Sequence, residues 1–545
     1  MFSSIGSVIT VFTKVICLLA RREKMKKKLL ALSLIAALVV SMTACGGNGS
    51  GNDKAQKDGL SIVDSEWYGL DVFQLDSTAS VQSLAAEALF QWDAETNTVV
   101  DNVCTDWQVS EDGKTATFNV PEGMKFSTGK QVEPEDVVAS IEHGLKVSPY
   151  AEGYDNIQSM DVNGRQVTLH LSSFKSDMLY YLCSGFIVVI PKDELDSMND
   201  KKLMWGCHPY GLYSLAENGY ISGSEVKLVR NDGYKCANPL VENKGPAKFK
   251  TVSVHFNEEK FTATEELKNG TTDIIASLST DDQRKDLEKS DSVVIKKTSY
   301  PNIDYFEMNT DSPVFSDINV RKALALSLDR ESLAKAMNGI ISPAYSIIYD
   351  SVQNFSPDAK DWFKTNLSND PEKAKKLLDE AGWKDTNGDG IREKNGKDLA
   401  FTWYAWTNST TIPEILAEQL KTVGFKMNIE AIDWNYVNQK IGDNKYDTGI
   451  EWLSWAEPIL VLNNCYRDPN APGNTEAYKS MVKDIASTID TNERTKKIGD
   501  AQMHIFENVN LIPLYSEESF TAYNKNLKGM KILTDGVMLL NDITY

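Results

Sequence analysis

The sequence is poor in the residue patterns that build metal and nucleophile sites. It contains only five histidines, and no two of them lie within five residues of each other. No zinc-binding His-Glu-x-x-His, paired Cys-x-x-Cys, phosphate-binding loop, dinucleotide-binding glycine motif or Gly-x-Ser-x-Gly elbow occurs. The sequence therefore predicts a protein that is not an enzyme and uses no cofactor. An enzyme without these motifs stays open as an alternative.

Cysteine is also scarce, with seven residues in 545. Five of them follow Cys45, namely Cys104, Cys183, Cys207, Cys236 and Cys465. An odd number leaves at least one thiol unpaired unless it links two chains. The chain is therefore not a scaffold held together by disulfides.

Beyond the N-terminal 44 residues, Lys and Arg are outnumbered by Asp and Glu. Residues 1–44 hold seven of the 57 Lys and Arg but one of the 77 Asp and Glu, which leaves the remainder at −26. A surface of that sign repels phosphate backbones and anionic lipid headgroups. We therefore expect neither nucleic acid nor an anionic membrane surface as a partner, and the body is predicted to be a monomer.

Beyond residue 45 no apolar run approaches the length of a membrane span, but one short run precedes it. Met25 is followed by three lysines and then by residues 29–44, which carry no charge. A basic start, a short apolar stretch and small residues before a cut site form a secretory signal. The stretch is shorter than the roughly 20 residues that a bilayer requires. We predict residues 1–44 as a signal peptide, with Met25 as its true start.

Cys45 stands at the predicted cut site, and residues 46–52 form a Gly/Ser/Asn stretch typical of a flexible tether. The Met42-Thr43-Ala44-Cys45 run resembles a lipobox, in which the Cys thiol receives a diacyl (palmitate-type) lipid. The resemblance predicts a lipoprotein with residues 45–56 as a lipid-anchored tether, held on the outer face of the cell membrane. An ordinary cleaved signal with an incidental cysteine is the alternative.

The body alternates strand and helix patterns. Period-two alternation predicts strands at residues 115–120, 167–171 and 225–229. Helices are predicted from Pro134, from Asp370-Pro371 to Gly382, and from near Pro413 to Gly424. About 500 residues exceed one hydrophobic core, so the sequence predicts an α/β chain in several lobes.

Four segments together resemble the extracellular solute-binding proteins of family 5, the peptide and nickel receptors of ABC importers. The first runs from Trp107 through Ser110-Glu111-Asp112-Gly113 and the strand after it to a helix opening on Asp136-Val137. The others, in the expected order, are residues 209–213 with 229–234, residues 319–330, and residues 374–382 with the Asp/Gly loop after them. Most of these are scaffold residues, so the resemblance identifies a fold and does not locate a ligand.

The resemblance implies a two-lobed periplasmic-binding-protein-like α/β fold of the large, three-subdomain type, with hinge crossovers. It places lobe I at residues 57–300 plus 512–545 and lobe II at residues 301–511. The implied function is transmembrane transport: the receptor hands a small solute, an oligopeptide or dipeptide, to the permease subunits of an ABC importer. A non-peptide solute (a sugar, an organic cation or a metal chelate) and a sensory role on the same fold remain alternatives.

The chain departs from the family at the ligand anchor. Peptide-binding members usually place an Asp shortly after a Trp on a lobe II loop, where it pairs with the peptide ammonium. Here no Asp occurs between Asp447 and Asp468. Glu457 is the nearest carboxylate, and because a buried ammonium needs a paired charge, a peptide receptor would use Glu457 or Glu451 instead.

Aromatic side chains are dense around the predicted cleft. They suit a peptide side chain, a sugar ring or an organic cation, although each of them could equally pack a core. Together with Glu457, the ligand-binding candidates are Trp67, Tyr68, Tyr150, Tyr154, Trp403, Trp406, Trp434, Trp452 and Trp455.

One loop resembles a cation site. Asp385, Asn387 and Asp389 have the spacing that opens an EF-hand loop, but the twelfth position is Gly396 where a bidentate Glu is required. The prediction is an Asp/Gly-rich turn, with a weak cation site as the alternative.

Overall fold

The computed structural model forms one compact unit from Lys57 to Tyr545. Predicted features at residues 1–56, and the candidates Trp67, Tyr68 and Trp455, lie outside the part that it describes. The described residues are 57–64, 73, 82–93, 95–96, 98–197, 206–256, 259–299, 302–406, 410–453, 457–466, 471–509, 511–533 and 537–545.

Strands dominate the part of the chain before residue 300. They are β1 (Gly59–Asp64), β2 (Phe90–Asp93), β3 (Thr98–Asp101), β4 (Thr105–Val109), β5 (Thr115–Asn119), β6 (Ile157–Asn163), β7 (Gln166–Leu171), β8 (Tyr213–Ile221), β9 (Glu225–Arg230), β10 (Thr251–Phe256), β11 (Ile274–Ile275) and β12 (Val293–Ser299). The helices are α1 (Pro134–Val147), α2 (Asp177–Cys183), α3 (Lys192–Ser197), α4 (Lys260–Asn269) and α5 (Asp281–Leu287), with 3-10 turns at Gln82–Leu84 and Ala151–Gly153.

Helices are more frequent in the second part. They are α6 (Ile318–Ser327), α7 (Arg330–Ala336), α8 (Pro357–Asn366), α9 (Pro371–Glu380), α10 (Thr411–Lys421), α11 (Trp434–Gly442), α12 (Pro458–Asn463), α13 (Glu476–Ser487) and α14 (Thr491–Asn508). The strands are β13 (Ile303–Met308), β14 (Ile341–Pro343), β15 (Glu393–Lys394), β16 (Lys397–Asp398), β17 (Ala400–Trp406), β18 (Lys426–Ile432), β19 (Thr448–Leu453), β20 (Leu511–Asn524), β21 (Lys531–Ile532) and β22 (Met538–Leu539). None of the helices described here is both long enough and apolar enough to cross a membrane.

The predicted elements are confirmed, with small shifts at their ends. The strand predicted from residue 115 ends at Asn119, and the helix predicted near Pro413 begins at Thr411. Proline is tolerated in the first turn of a helix because the amide it lacks has no partner there. Asp370 caps α9 by accepting a hydrogen bond from the backbone of Lys373, as its sequence predicts.

One large mixed sheet and two large hydrophobic cores organise the fold. The sheet runs β18-β17-β19-β13-β20-β11-β1-β10-β9-β8, and β12 and β14 also pair with β20. The first core draws on residues between Leu60 and Ala276 and between Leu527 and Ile543. The second core draws on residues between Ile303 and Tyr515. β20 reaches both of them.

Two buried arginines attach helices of the second core to the start of β20. Arg321 and Arg330 are each 2% exposed. Arg330 lies over the ring of Phe363 at 5.0 Å and donates to the carbonyl of Pro513 at 2.7 Å. Arg321 donates to the carbonyl of Val509 at 3.2 Å. The motif at residues 319–330 therefore positions the strand that connects the cores, which is a structural role.

Candidate solute-binding site

The connection between the two cores lies at β20. Its residues 511–515 pair with β13, and its residues 518–524 pair with β12. β12 ends at Ser299 and β13 begins at Ile303, so the chain crosses between the cores beside β20. The side chain of Asn302 accepts a hydrogen bond from the backbone of Glu517 at 3.2 Å, which ties the two crossing segments together.

Several candidate tryptophans share one edge of the sheet in the second core. β17 is parallel to both β18 and β19. Trp406 is the last residue of β17, Trp434 begins the helix after β18, and Trp452 is the next-to-last residue of β19. The carboxyl ends of parallel strands meet at one edge, which is where ligands bind in open α/β sheets. The backbone therefore brings these three positions together. For these three residues the structure describes the backbone and not the side chain.

Asp304, which the sequence analysis did not single out, lies at the same edge. It stands opposite Trp452 on β19 and Tyr515 on β20. The β20 register shifts between Asp304 and Tyr305, and such bulges re-aim side chains next to functional sites. Asp304 is 5% exposed, and its Oδ2 accepts no hydrogen bond from any described residue. Burial, followed by the nearby Glu517, raises the pKa of Asp304 to about 8.

Glu457 lies a few residues after β19, at the start of α12. Its carboxylate caps the helix, with Oε2 accepting the backbone N–H of Leu460 at 2.9 Å. The side chain is 1% exposed. Burial, followed by the charge of Asp177, raises the pKa of Glu457 to about 8. Among the charges that act on Glu457, the acid Asp177 thus outweighs the base Arg494.

Asp177 belongs to the first core, and its interaction with Glu457 marks a contact between the cores. The backbone N–H of Ser176 donates to the carbonyl of Ala486 at 2.8 Å, and Leu460 of α12 packs against the first core. Burial raises the pKa of Asp177 to about 6, and its Oδ1 has no hydrogen-bond partner among the described residues. This contact therefore places the half-buried carboxyl group of Asp177 where its charge acts on the buried Glu457.

Arg494, whose charge acts on Glu457, forms its hydrogen bonds with other residues. Its Nε donates to Asn354 at 2.9 Å and its Nη1 donates to the carbonyl of Thr488 at 2.8 Å. Its charge opposes the rise in the pKa of Glu457, but it is the smallest of the causes. Within the described residues, neither Glu457 nor Asp177 forms an ion pair.

The candidate tyrosines of the first core belong to an aromatic cluster beside α2. Tyr150 stacks on Tyr181 with ring centroids 6.4 Å apart, and Tyr154 meets the same ring at 5.5 Å. Tyr154 is fully buried, whereas Tyr150 is partly exposed. Both therefore contact Tyr181 of the helix that begins at Asp177, and of the two it is Tyr150 that presents surface.

Trp403 lies inside the second core. It is fully buried and meets Phe306 edge to face, with ring centroids 4.4 Å apart. Its position three residues before the end of β17 places it below the edge that Trp406 reaches.

The acidic loop gathers one residue that the sequence analysis did not include. Asp385, Asp389 and Glu393 each bring a carboxylate oxygen within 4.8 Å of the others, and Glu393 occupies the ninth position of the loop. Asn387 accepts the backbone N–H of Asp389 at 2.8 Å. Both aspartates are exposed. Oxygen ligands at this spacing suit a hard cation such as Ca²⁺. In the sequence this loop is separate from the other candidate residues described above.

Comparisons with known proteins give the family context. The family described as bacterial extracellular solute-binding proteins, family 5 middle, matches residues 98–471. The oligopeptide-binding protein AppA of Bacillus subtilis is 24% identical over 93% of this chain and 97% of that protein.

Two solved structures share the fold. NikA from Brucella suis, in complex with Fe(III)-EDTA, superposes with a TM-score of 0.74 at 18% identity, over 89% of this chain and 99% of that one. AppA from Bacillus subtilis, in complex with a nonapeptide, superposes with a TM-score of 0.63 at 21% identity, over 90% and 99%. The predicted two-lobed fold is confirmed, and these proteins bind solutes rather than catalyse reactions, as predicted here.

Proposed function

Since the chain belongs to family 5 of the bacterial extracellular solute-binding proteins, we propose that it is a lipid-anchored receptor that delivers oligopeptides or dipeptides to an ABC importer. The solute lies between the two lobes, and hinge closure traps it. The proposed lobes are residues 57–300 plus 512–545 and residues 301–511. The aromatic candidates at the sheet edge, with Tyr150 across the cleft, supply surfaces for peptide side chains.

A peptide is favoured because the acids near the cleft have no basic partner. Asp304 and Glu457 are buried and Asp177 is half-buried, and burial raises the pKa of each of them. An ionised carboxylate in such a place is unfavourable unless a cation is paired with it. The α-ammonium of a peptide supplies that cation. The oligopeptide-binding relative that covers nearly all of this chain supports the same choice.

Native mass spectrometry of the full-length protein, extracted from cells in a mild detergent, tests the proposal. We expect added masses that fragment into amino acids, because a closed receptor retains its solute. A protein that instead carries only porphyrin, sugar or chelated metal would contradict the peptide assignment while leaving the receptor function intact.

A chelated metal is the second candidate solute. The observation that favours it is the structural likeness to NikA, whose structure holds Fe(III)-EDTA. The aromatic positions would then pack against the chelator. A negatively charged chelate would gain no charge pairing from Asp304, Asp177 and Glu457, since burial disfavours their ionised forms.

We further propose that the receptor is anchored on the outer face of the membrane by lipid on Cys45, after removal of residues 1–44. One acyl chain binds a membrane only marginally, so stable anchoring needs the two chains of a diacylated cysteine. We expect the Cys45→Ser variant to remain uncut or to leave the membrane fraction, as measured by fractionation and immunoblotting. Wild-type-like membrane retention of the cleaved variant would contradict the lipid anchor. Cys104→Ser, which changes a buried cysteine of the body, is the matched control.

A further inference from the structure

The long strand β20 carries a row of polar side chains past the point where the chain crosses between the cores. Lys297 of β12 lies opposite Phe520 of β20, and Ser342 of β14 lies opposite Ser516. Alternate residues of a strand point to the same face, so Glu518 lies between these two pairs on one face of β20. A strand of the first lobe and a strand of the second lobe therefore meet Glu518 from either side.

Glu518 binds both of these neighbours. The Lys297 ammonium lies 2.8 Å from Glu518 Oε1, and the Ser342 hydroxyl donates a hydrogen bond to the same oxygen. The side chain of Glu518 is 2% exposed, and a charge that is shielded from water in this way is screened less by salt than an exposed one. The three residues thus form a bridge across β20, from β12 to β14.

Arg284 of α5 makes a second connection beside this bridge. Its guanidinium lies over the ring of Phe520, 5.2 Å from the ring centre, and its Nη2 donates to the carbonyl oxygen of Asn338 at 3.2 Å. Asp281 and Glu288 form ion pairs with the same guanidinium from its own end of the connection. Arg284 is therefore fixed on the first lobe while it holds the backbone of the second.

Both connections span the hinge. Arg284 and Lys297 precede the crossing from β12 to β13 in the chain, whereas Asn338 and Ser342 follow it. A rotation of one lobe against the other changes the distances between the two pairs, and a hydrogen bond is lost beyond about 3.5 Å. These contacts therefore oppose such a rotation. They occur together with the backbone contact between the cores at Ser176.

We propose that the Arg284–Asn338 contact and the Lys297–Glu518–Ser342 bridge form a hinge brace, which holds the lobes in the arrangement where the two cores touch. The brace sets the resting balance between touching and separated lobes, and a solute then acts on that balance through its different affinity for the two arrangements. This inference goes beyond the proposed function, since it rests on the two-lobed fold and not on the identity of the solute.

Distances between the lobes test the hinge brace. Nitroxide labels at the exposed residues Glu111 and Lys483, introduced as non-natural amino acids, report the separation of the lobes by double electron–electron resonance. Bound solute is first removed by unfolding the protein in urea and refolding it. The ratio of separated to touching lobes is then read from the distribution of distances.

The double variant Lys297→Met/Glu518→Gln removes both charges of the bridge at nearly constant size. We expect it to raise the ratio of separated to touching lobes about tenfold, the loss expected for a hydrogen bond that involves a charged group. Lys297→Arg keeps the charge and should keep the wild-type ratio. Arg284→Gln breaks the second connection and should raise the ratio at least about threefold, which decides the question if the double variant does not fold.

The matched control removes an ion pair that lies within one lobe. Lys268 Nζ and Asp286 Oδ2 are 2.6 Å apart between α4 and α5, and we expect Lys268→Met/Asp286→Asn to leave the ratio within about twofold. An equal rise in this control would overturn the hinge brace, because the effect would then reflect lost stability. An unchanged ratio in both the double variant and Arg284→Gln would also overturn it, as would wild-type lobes that are already separated without solute.

Discussion

We expect the Glu457→Gln variant to unfold at a higher urea concentration than the wild type at pH 8, and the difference to fall below about 1 kcal/mol at pH 5. The carboxyl group is 1% exposed and its pKa is raised to about 8 by burial, then by Asp177. The folded protein therefore holds a proton there that the unfolded chain releases above its own pKa near 4.5. Stability is greatest at low pH and falls as the pH rises toward 8, by about 1.4 kcal/mol for each pH unit in that window.

Glutamine removes this penalty and keeps an oxygen for the N–H of Leu460. We expect a gain of roughly 3 kcal/mol at pH 8, measured by urea denaturation with tryptophan fluorescence. The matched control is Glu122→Gln, at an exposed site, which should change stability by less than about 0.5 kcal/mol at either pH. A Glu457→Gln variant that is less stable than the wild type at pH 8 would show that Glu457 is ionised and paired in the folded protein.

Trp403→Ala should lower the free energy of unfolding by about 3–5 kcal/mol. The ring is fully buried in the second core and meets Phe306 edge to face, so truncation removes both the transfer energy and an aromatic contact. Thermal unfolding followed by circular dichroism at 222 nm measures the loss.

Phe261→Ala provides the comparison for this core truncation. Phe261 is 68% exposed, and truncation of a ring already in water should cost less than about 0.5 kcal/mol. Equal losses in the two variants would contradict the placement of Trp403 in the core.

The scaffold could be predicted from the sequence because its signals are local. Alternation over residues 115–119 needs no partner strand to indicate a strand, and Asp370-Pro371 starts a helix by its own capping chemistry. The family motifs then supply the order of the elements. Arg321 and Arg330 also fall inside one of these motifs. Their burial could not be predicted from the motif, because for Arg330 it depends on contacts with Phe363 and Pro513, which are distant in sequence.

The site was harder to predict because it depends on register and on contacts distant in sequence. Asp304 gave one local signal, a charge inside an apolar strand, but its importance follows from its pairing with Trp452 and Tyr515. Asp177 becomes informative only beside Glu457, which is 280 positions away in the chain. Glu457 itself was predicted as an anchor, whereas its capping of α12 was not predicted.

The account depends most on one claim, that the buried acids of the cleft serve a cationic peptide terminus. Isothermal titration of wild-type protein with a random oligopeptide pool whose terminal amines are free, and with the N-acetylated form of that pool, measures this directly. We predict binding of the first pool with at least about 30-fold weaker binding of the second. Equal affinity for the two pools would contradict the claim, because the acids would then have no part in recognising the solute.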